Sequence, residues 1–378
     1  MGLAAGQDLS HKQELAFVQE VYCRFLGQKD KTGLDLDVID WQYVLKYSAN
    51  DALITVLYLY LESQKIAAPA QVKERLKTAY LNNLRRNLFI NSRLEEILKH
   101  LKQEKIEVLL LKGIYLANAV YEDIGLRPMT DIDLLIRPQD LKDIEKSVFD
   151  LGFHHDKDYG PGGYVKTDPS YPIALDLHSE IWYVDRLDEI WRNSRKINLA
   201  GSWARIMSVE DALIYQAAHT AVYHGSLRPL WLFDIAKIIL RYQNSLDWQS
   251  IKRKIKGYNL EIPFYFLFKR LKKDFRLTQP EIELTYKKAK SLQYRIYERI
   301  FKKGRPPVNI GHILRFFLLK GFLPKIRFFV QYLFPSRDFL IRRYEIRGNN
   351  LAYLYCYRIA KEFKAGFSVL KELVCKKT

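Results

Sequence analysis

The sequence predicts an α+β protein, a small mixed-sheet core flanked by N-terminal and C-terminal helical regions. Two changes of period predict it. Residues 8–104 carry apolar side chains at helical spacing, residues 105–207 alternate short strand-like runs with helices, and helical spacing resumes over 208–378. The third observation is size: 378 residues exceed what one hydrophobic core usually organises, so regions 1–104, 105–207 and 208–378 are expected.

In the first region Leu15, Val18, Val21, Tyr22 and Phe25 recur at helical spacing, as do Leu84, Leu88, Leu94, Ile97, Leu98 and Leu101. The apolar, partly β-branched run from Ile106 to Leu111 then reads as a buried strand, and Lys112-Gly113 turns it into a helix from Ile114 to Tyr121. After the turn at Arg127-Pro128-Met129-Thr130 comes a second strand, from Asp131 to Ile136, halted by Pro138. A helix from Gln139 to Leu151 ends at Gly152. The glycine-rich loop from Tyr159 to Gly163 leads towards a third strand around Ile173 to His178. Beyond residue 208, Val209 to His224 and Leu230 to Tyr242 are helical, with breaks at Pro229, Gly257, Pro280, Pro306 and Pro324.

Hydrophobic residues make up 48% of the chain, which argues against wholesale disorder. Cys23, Cys356 and Cys375 are far apart and form no CxxC pair, so neither a disulfide framework nor a zinc site is indicated, and a reducing, cytoplasmic setting is expected. The first residues lack a secretory pattern, and Gly6 stands where a myristoylation signal wants Ser or Thr. No transmembrane span is expected: the most apolar stretch, from Ile310 to Phe334, is interrupted by Arg315, Lys320, Lys325 and Arg327 and reads as a core or interfacial helix.

The net charge of +18 is unevenly placed. Residues 245–378 hold 31 Lys and Arg against 10 Asp and Glu, about +21, which leaves the remainder slightly acidic. That bias favours anionic partners: nucleotides, RNA, or an anionic membrane surface to which the protein would be peripheral. A merely solvated basic face has the same composition. The interleaved aromatics, among them Phe264, Phe266, Phe322, Phe328, Phe329 and Tyr332, read as a helical core with charges in solvent rather than a stacking platform or an interfacial helix.

The chemistry centres on Asp131-Ile132-Asp133. On a strand this spacing sends both carboxylates to one face and Ile132 to the other. Two close carboxylates repel unless a cation neutralises them, and Mg²⁺ prefers oxygen ligands shared between carboxylates and phosphates. Turn aspartates at this spacing also arise by chance. Upstream, Gly113 at the start of a helix would let a phosphate approach the backbone, with Lys112 adding a charged contact, unless this is only a strand-to-helix turn with a surface lysine. Arg127 is placed to reach phosphate or to stand as an exposed loop charge. Downstream, Asp176 and His178 share a strand face, where a carboxylate is costly unless paired or metal-bound. Asp176 could complete the coordination of a second ion or take the proton of an attacking hydroxyl. His178 could bind phosphate, orient an acceptor, or be a hydrogen-bonded structural histidine.

These motifs, strand-Lys-Gly-helix, Arg…Thr-Asp-Ile-Asp-Leu-Leu-Ile and Leu-Asp-Leu-His, resemble those of the polymerase-β-like nucleotidyltransferase superfamily. More closely, the chain resembles an uncharacterised nucleotidyltransferase family related to minimal nucleotidyltransferases, over roughly residues 85–245. One departure is that Gly113 is followed by Ile114, where many superfamily members have Gly-Ser or Gly-Gly. The resemblance implies an enzyme moving a nucleoside monophosphate from a nucleoside triphosphate such as ATP to a hydroxyl of a small molecule, sugar or protein. It implies two Mg²⁺ ions, or Mn²⁺, on Asp131, Asp133 and Asp176, with Lys112, Gly113, Arg127 and His178 on the nucleotide. His219 and Asp234 resemble recurring family positions that line the acceptor side, or form a helix-pair interface with a buried His–Asp hydrogen bond. The alternatives are a toxin-like enzyme modifying tRNA and a non-catalytic nucleotide-binding or membrane-peripheral scaffold.

Overall fold

A computed structural model describes residues 11–28, 36, 38–156, 162–184, 186–199, 201–277, 291–303, 310–337, 339–340 and 351–374. The extreme N-terminus, residues 159–161 of the glycine-rich loop, Pro280, Pro306 and Cys375 lie outside the described residues.

The N-terminal region folds as α1 (Lys12–Phe25), α2 (Trp41–Asn50), α3 (Ile54–Ser63) and α4 (Ala70–Gln103). Asp40 starts α2 by accepting the amides of Gln42 and Tyr43, a side-chain cap for two otherwise orphaned donors. Helix α4 buries Val72, Leu76, Ile90, Leu94, Ile97, Leu98 and Leu101, the 3.6-residue stripe expected of it, while Leu88 faces solvent. Together α3 and α4 seize one loop. Asn87 donates to the carbonyls of Ile124 and Arg127, Asn83 to that of Gly125, and Thr55 to that of Leu126. Four consecutive carbonyls are thus held by three side chains, which fixes the backbone that leads into the Asp131 strand.

That strand belongs to a seven-stranded mixed sheet of order β3-β4-β5-β2-β1-β7-β6. Its strands are β1 (Leu109–Leu110), β2 (Asp131–Leu135), β3 (His154–His155), β4 (Gly163–Lys166), β5 (Ile173–His178), β6 (Arg195–Leu199) and β7 (Ser202–Ile206). Between them lie α5 (Lys112–Ala119), α6 (Leu141–Asp150) and α7 (Leu187–Asn193). The α+β expectation holds, and the sheet is larger than the sequence suggests, because β3, β4, β6 and β7 are edge or near-edge strands without a strong apolar run. The first expected strand shortens to two residues. Glu107 leaves the ladder and takes Arg205 at 3.1 Å, with Arg137 and Lys196 each at 3.3 Å. Helix α6 ends as expected, with Gly152 at φ +84°.

The C-terminal region comprises α8 (Val209–Ala218), α9 (Pro229–Arg241), α10 (Trp248–Gly257), α11 (Glu261–Phe275), α12 (Leu292–Lys303), α13 (Ile310–Leu318), α14 (Phe322–Leu333) and α15 (Leu351–Val374). The expected helix running to His224 instead passes from α8 into a π-helical turn, His219–Tyr223. Pro229 begins a helix and Pro324 lies in the first turn of another rather than breaking it, since the first turn needs no internal amide donor. The aromatic-core expectation holds for Phe264 and Phe266 and fails for Phe322 and Phe329, which are exposed. No described helix is long and apolar enough to cross a membrane.

Buried residues from Phe17 to Leu318 form one continuous apolar cluster. Helix α13 approaches the π-turn so closely that a Cβ on Gly311 would fall 2.0 Å from the carbonyl oxygen of Tyr223. Backbone cannot yield as a side chain can. Gly311→Ala should therefore lower stability by about 1–3 kcal/mol in urea melts. Gly257→Ala, where nothing lies within 4 Å of the added carbon, should be neutral or slightly stabilising.

Candidate functional site

The site is assembled by strand register. Strand β2 runs parallel to β5 with Asp131 opposite Ala174, Asp133 opposite Asp176 and Leu135 opposite His178. Paired residues of neighbouring strands project to the same face, so the two carboxylates and the imidazole gather above one patch of sheet. On the other side β1 runs antiparallel to β2, and the Leu111 amide donates to the Asp133 carbonyl at 3.0 Å. The next residue, Lys112, begins α5 with φ +44°, a left-handed conformation that a side-chain-bearing residue adopts at a cost.

The Lys112 ammonium lies 2.6 Å from Asp133 Oδ1, 3.9 Å from Asp176 Oδ2 and 3.3 Å from His178 Nε2. His178 Nε2 is 3.0 Å from both Asp133 Oδ1 and Asp176 Oδ2. Asp133 is 1% exposed. Burial alone would push its pKa up, but Lys112 and His178 outweigh burial and hold the carboxyl below its usual range. Burial likewise disfavours a charged His178, yet its bonds to Asp133 and Asp176 raise its pKa to about 9. The same carboxylates raise Lys112 against burial. Asp131, hydrogen-bonded by Thr130 at 3.2 Å, moves upward through burial and then the nearby Asp133.

The donor chemistry fits a divalent cation. Asp133, Asp176 and His178 each offer one ligand atom, and these atoms lie within 4.8 Å of one another. Two carboxylates and, once it gives up its proton, the imidazole make a mixed oxygen–nitrogen set, and the cluster already attracts two cationic groups, the Lys112 ammonium and the protonated His178. His178, which the family resemblance assigns to the nucleotide, lies among the carboxylates, and Asp131 lies outside this closest set.

Arg127 is turned away from solvent. Its Nη2 lies 2.9 Å from Asp234 Oδ2 and its Nε 3.3 Å from Asp234 Oδ1, which also accepts the Tyr121 hydroxyl at 2.8 Å. Burial opposes the guanidinium charge, and Asp234 restores it. A Cβ on Gly113 would meet Arg127 Nη1 at 2.9 Å, so the close approach that this glycine permits is to the protein's own guanidinium. The expected His219–Asp234 hydrogen bond is replaced: Asp234 serves Arg127 and Tyr121, while His219 Nε2 lies 3.1 Å from His224 Nε2.

Residues 37–275 match the model of a family described as an uncharacterised nucleotidyltransferase. The chain belongs to that family. The match extends beyond the stretch that carries the motifs and includes every candidate residue from Lys112 to Asp234. Among solved structures, the chain is similar to an antigenic nucleotidyltransferase-like protein from Paracoccidioides brasiliensis, at 14% identity and a TM-score of 0.35, over 50% of this chain and 92% of that one. No curated protein matches it.

Beside the carboxylates, the π-turn builds an aromatic wall that spacing alone did not reveal, because it draws on three separate elements. His219 stacks on Tyr215 at 6.0 Å and on Tyr223 at 5.1 Å. His224 stacks on Trp231 at 4.5 Å, over which Arg228 lies at 5.2 Å. Burial first and the Lys112 charge second depress both imidazoles, His219 well below its usual range and His224 to about 4.

Two outcomes follow. Arg127→Met or Asp234→Asn should each cost about 3–5 kcal/mol in chemical denaturation, because each strands a buried charge. The second concerns pH. The imidazoles of an unfolded chain titrate near ~6.5, above the folded value for His224 of about 4. Their contribution to stability is complete above the unfolded value and is lost as pH falls towards the folded one. His224→Gln should therefore flatten the fall in melting temperature between about pH 6.5 and 5.

Proposed function

We propose that this protein transfers a nucleoside monophosphate from a nucleoside triphosphate to a hydroxyl of an acceptor molecule. The observation that carries the reading is the convergence of Asp133, Asp176 and His178 within 4.8 Å, on a chain of the nucleotidyltransferase family. One or two divalent ions, Mg²⁺ or Mn²⁺, would be held by Asp133, Asp176 and His178 with Asp131 beside them on β2. Bound there, such an ion supplies charge neutralisation for the triphosphate and polarises its α-phosphorus.

The chain's own groups do the rest. The first amides of α5, at residues 112–114, have no intrahelical acceptor and can donate to phosphate oxygens, with the Lys112 ammonium adding its charge beside them. Arg127 acts as a positioning residue: anchored on Asp234, it packs against Gly113 and fixes the start of α5. Asp176, with a side chain 26% exposed against 2% for Asp133, is the carboxylate open to an incoming hydroxyl and takes its proton. The acceptor oxygen then bonds to the α-phosphorus as the bond to the pyrophosphate oxygen breaks, and pyrophosphate leaves with the Lys112 charge alongside it. The wall of Tyr215, His219 and Tyr223 borders the acceptor side, with His219 neutral and able to hydrogen-bond.

The test combines binding and chemistry. Mn²⁺ with one of ATP, GTP, CTP or UTP should raise the melting temperature by several degrees, as expected of a ligand at about 100 times its Kd. Mn²⁺ should outperform Mg²⁺, because the set contains an imidazole. Asp133→Asn, with its fold verified by circular dichroism, should remove that rise. It should also cut transfer of α-phosphate label to acceptors in a cell extract by about 10²–10³-fold. Undiminished labelling by Asp133→Asn overturns the assignment.

A further inference from the structure

Away from the site, α14 carries two apolar sides. Its inner side, Phe328 and Tyr332, packs on α13 and α15: Phe328 lies 6.4 Å from Phe316, and the Tyr332 ring 4.6 Å from His312, while the Tyr332 carbonyl receives Arg358. Its outer side is also apolar. Phe322 is 77% exposed, Leu323 76%, Ile326 42%, Phe329 52% and Val330 47%. At about 100° per residue these five fall on one arc about 120° wide, with Lys325 on one flank and Arg327 on the other. Over residues 299–337 the sequence holds nine Lys and Arg and no Asp or Glu.

We propose that α14 docks this protein on an anionic lipid bilayer, lying in the plane of the interface with its outer face among the acyl chains. A helix with an apolar face edged by long basic side chains is what such a surface retains, since the stems reach up while the charges meet the headgroups. Charge complementarity selects the occupant. A second copy would bring the same unbroken basic stretch against itself, which like charges oppose. RNA would use the lysines and arginines and two rings, Phe322 and Phe329, but the other three residues of the face, Leu323, Ile326 and Val330, are aliphatic and give a base nothing to stack upon, whereas acyl chains take all five. The helix is too short to span, so the contact is peripheral.

The experiment is flotation of the full chain with two vesicle types, pure phosphatidylcholine and phosphatidylcholine with about one phosphatidylglycerol in three. Binding is expected to the mixed vesicles, to weaken in high salt, and to be slight on the neutral ones. The triple variant Leu323→Ser, Phe329→Ser, Val330→Ser trims side chains that are about half exposed or more, so its melting temperature should fall little while vesicle binding falls by about tenfold or more. Lys325→Gln with Arg327→Gln should weaken the preference for the anionic vesicles, since it removes two of the nine cations of this stretch. Equal flotation of the triple variant overturns the proposal. So does dimerisation in light scattering, or retention of a single-stranded RNA, that the triple variant loses while vesicles are ignored. Because the readout is binding without nucleotide, it stands or falls apart from the transfer reaction.

Discussion

An ionised carboxylate at position 133, almost wholly out of water, is tolerable only because two cationic groups reach it. A lone buried charge costs several kcal/mol even after the surroundings relax. Topology supplies the remedy from both sides of β2. The antiparallel neighbour β1 delivers Lys112, and the parallel neighbour β5 delivers His178 and a second carboxylate. The arrangement is self-balancing without being inert. On the proposed reading, Asp133 and Asp176 would receive a cation as the lysine turns to phosphate and the histidine becomes a ligand. The left-handed backbone at Lys112 is consistent with a residue placed for what its side chain must reach rather than for local ease.

The same logic recurs one layer deeper. Arg127 and Asp234 form a buried pair whose arginine comes from the loop before β2 and whose aspartate comes from α9. That loop is held by Thr55, Asn83 and Asn87, whose amides and hydroxyl occupy four successive carbonyls. The N-terminal helices therefore act on the site through this loop. They set the loop, the loop sets Arg127, and Arg127 packs against Gly113 in the first turn of α5.

The parts legible in the sequence were those with a short period or a short range. Asp131, Asp133, Asp176 and His178 declared their strands and their shared faces through alternation alone, and Gly152 declared the end of a helix. What alternation cannot convey is which strand lies beside which. The register placing Asp133 opposite Asp176, and the bonds from His178 to both, depend on a crossover of about forty residues. Arg127 illustrates the limit: a charged loop residue reads as free until its partner, 107 positions later, is brought against it. The π-turn was illegible for another reason, since five residues of extra-wide helix keep nearly helical spacing while swinging His219 and His224 into contact. The aromatics of α14 misled in the opposite direction. Their spacing is that of a core helix, and only the packed structure shows that one apolar face found a partner and the other did not.

The two charge regimes of the chain meet at one place. In the site, charges come in matched, buried sets; in the basic region cations far outnumber anions, and over residues 299–337 they have no acidic neighbours in sequence. Helix α13 joins the two, with Gly311 against the π-turn carbonyl and Phe316 and Arg315 against Phe328 of α14. A contact at a glycine transmits position well because no side chain intervenes to flex. A bilayer holding α14 would, through α13, hold the π-turn and the acceptor side of the proposed cleft near the same surface. An acceptor confined to that surface would then reach Asp176 at a raised local concentration, a gain that comes from geometry and needs no additional contact.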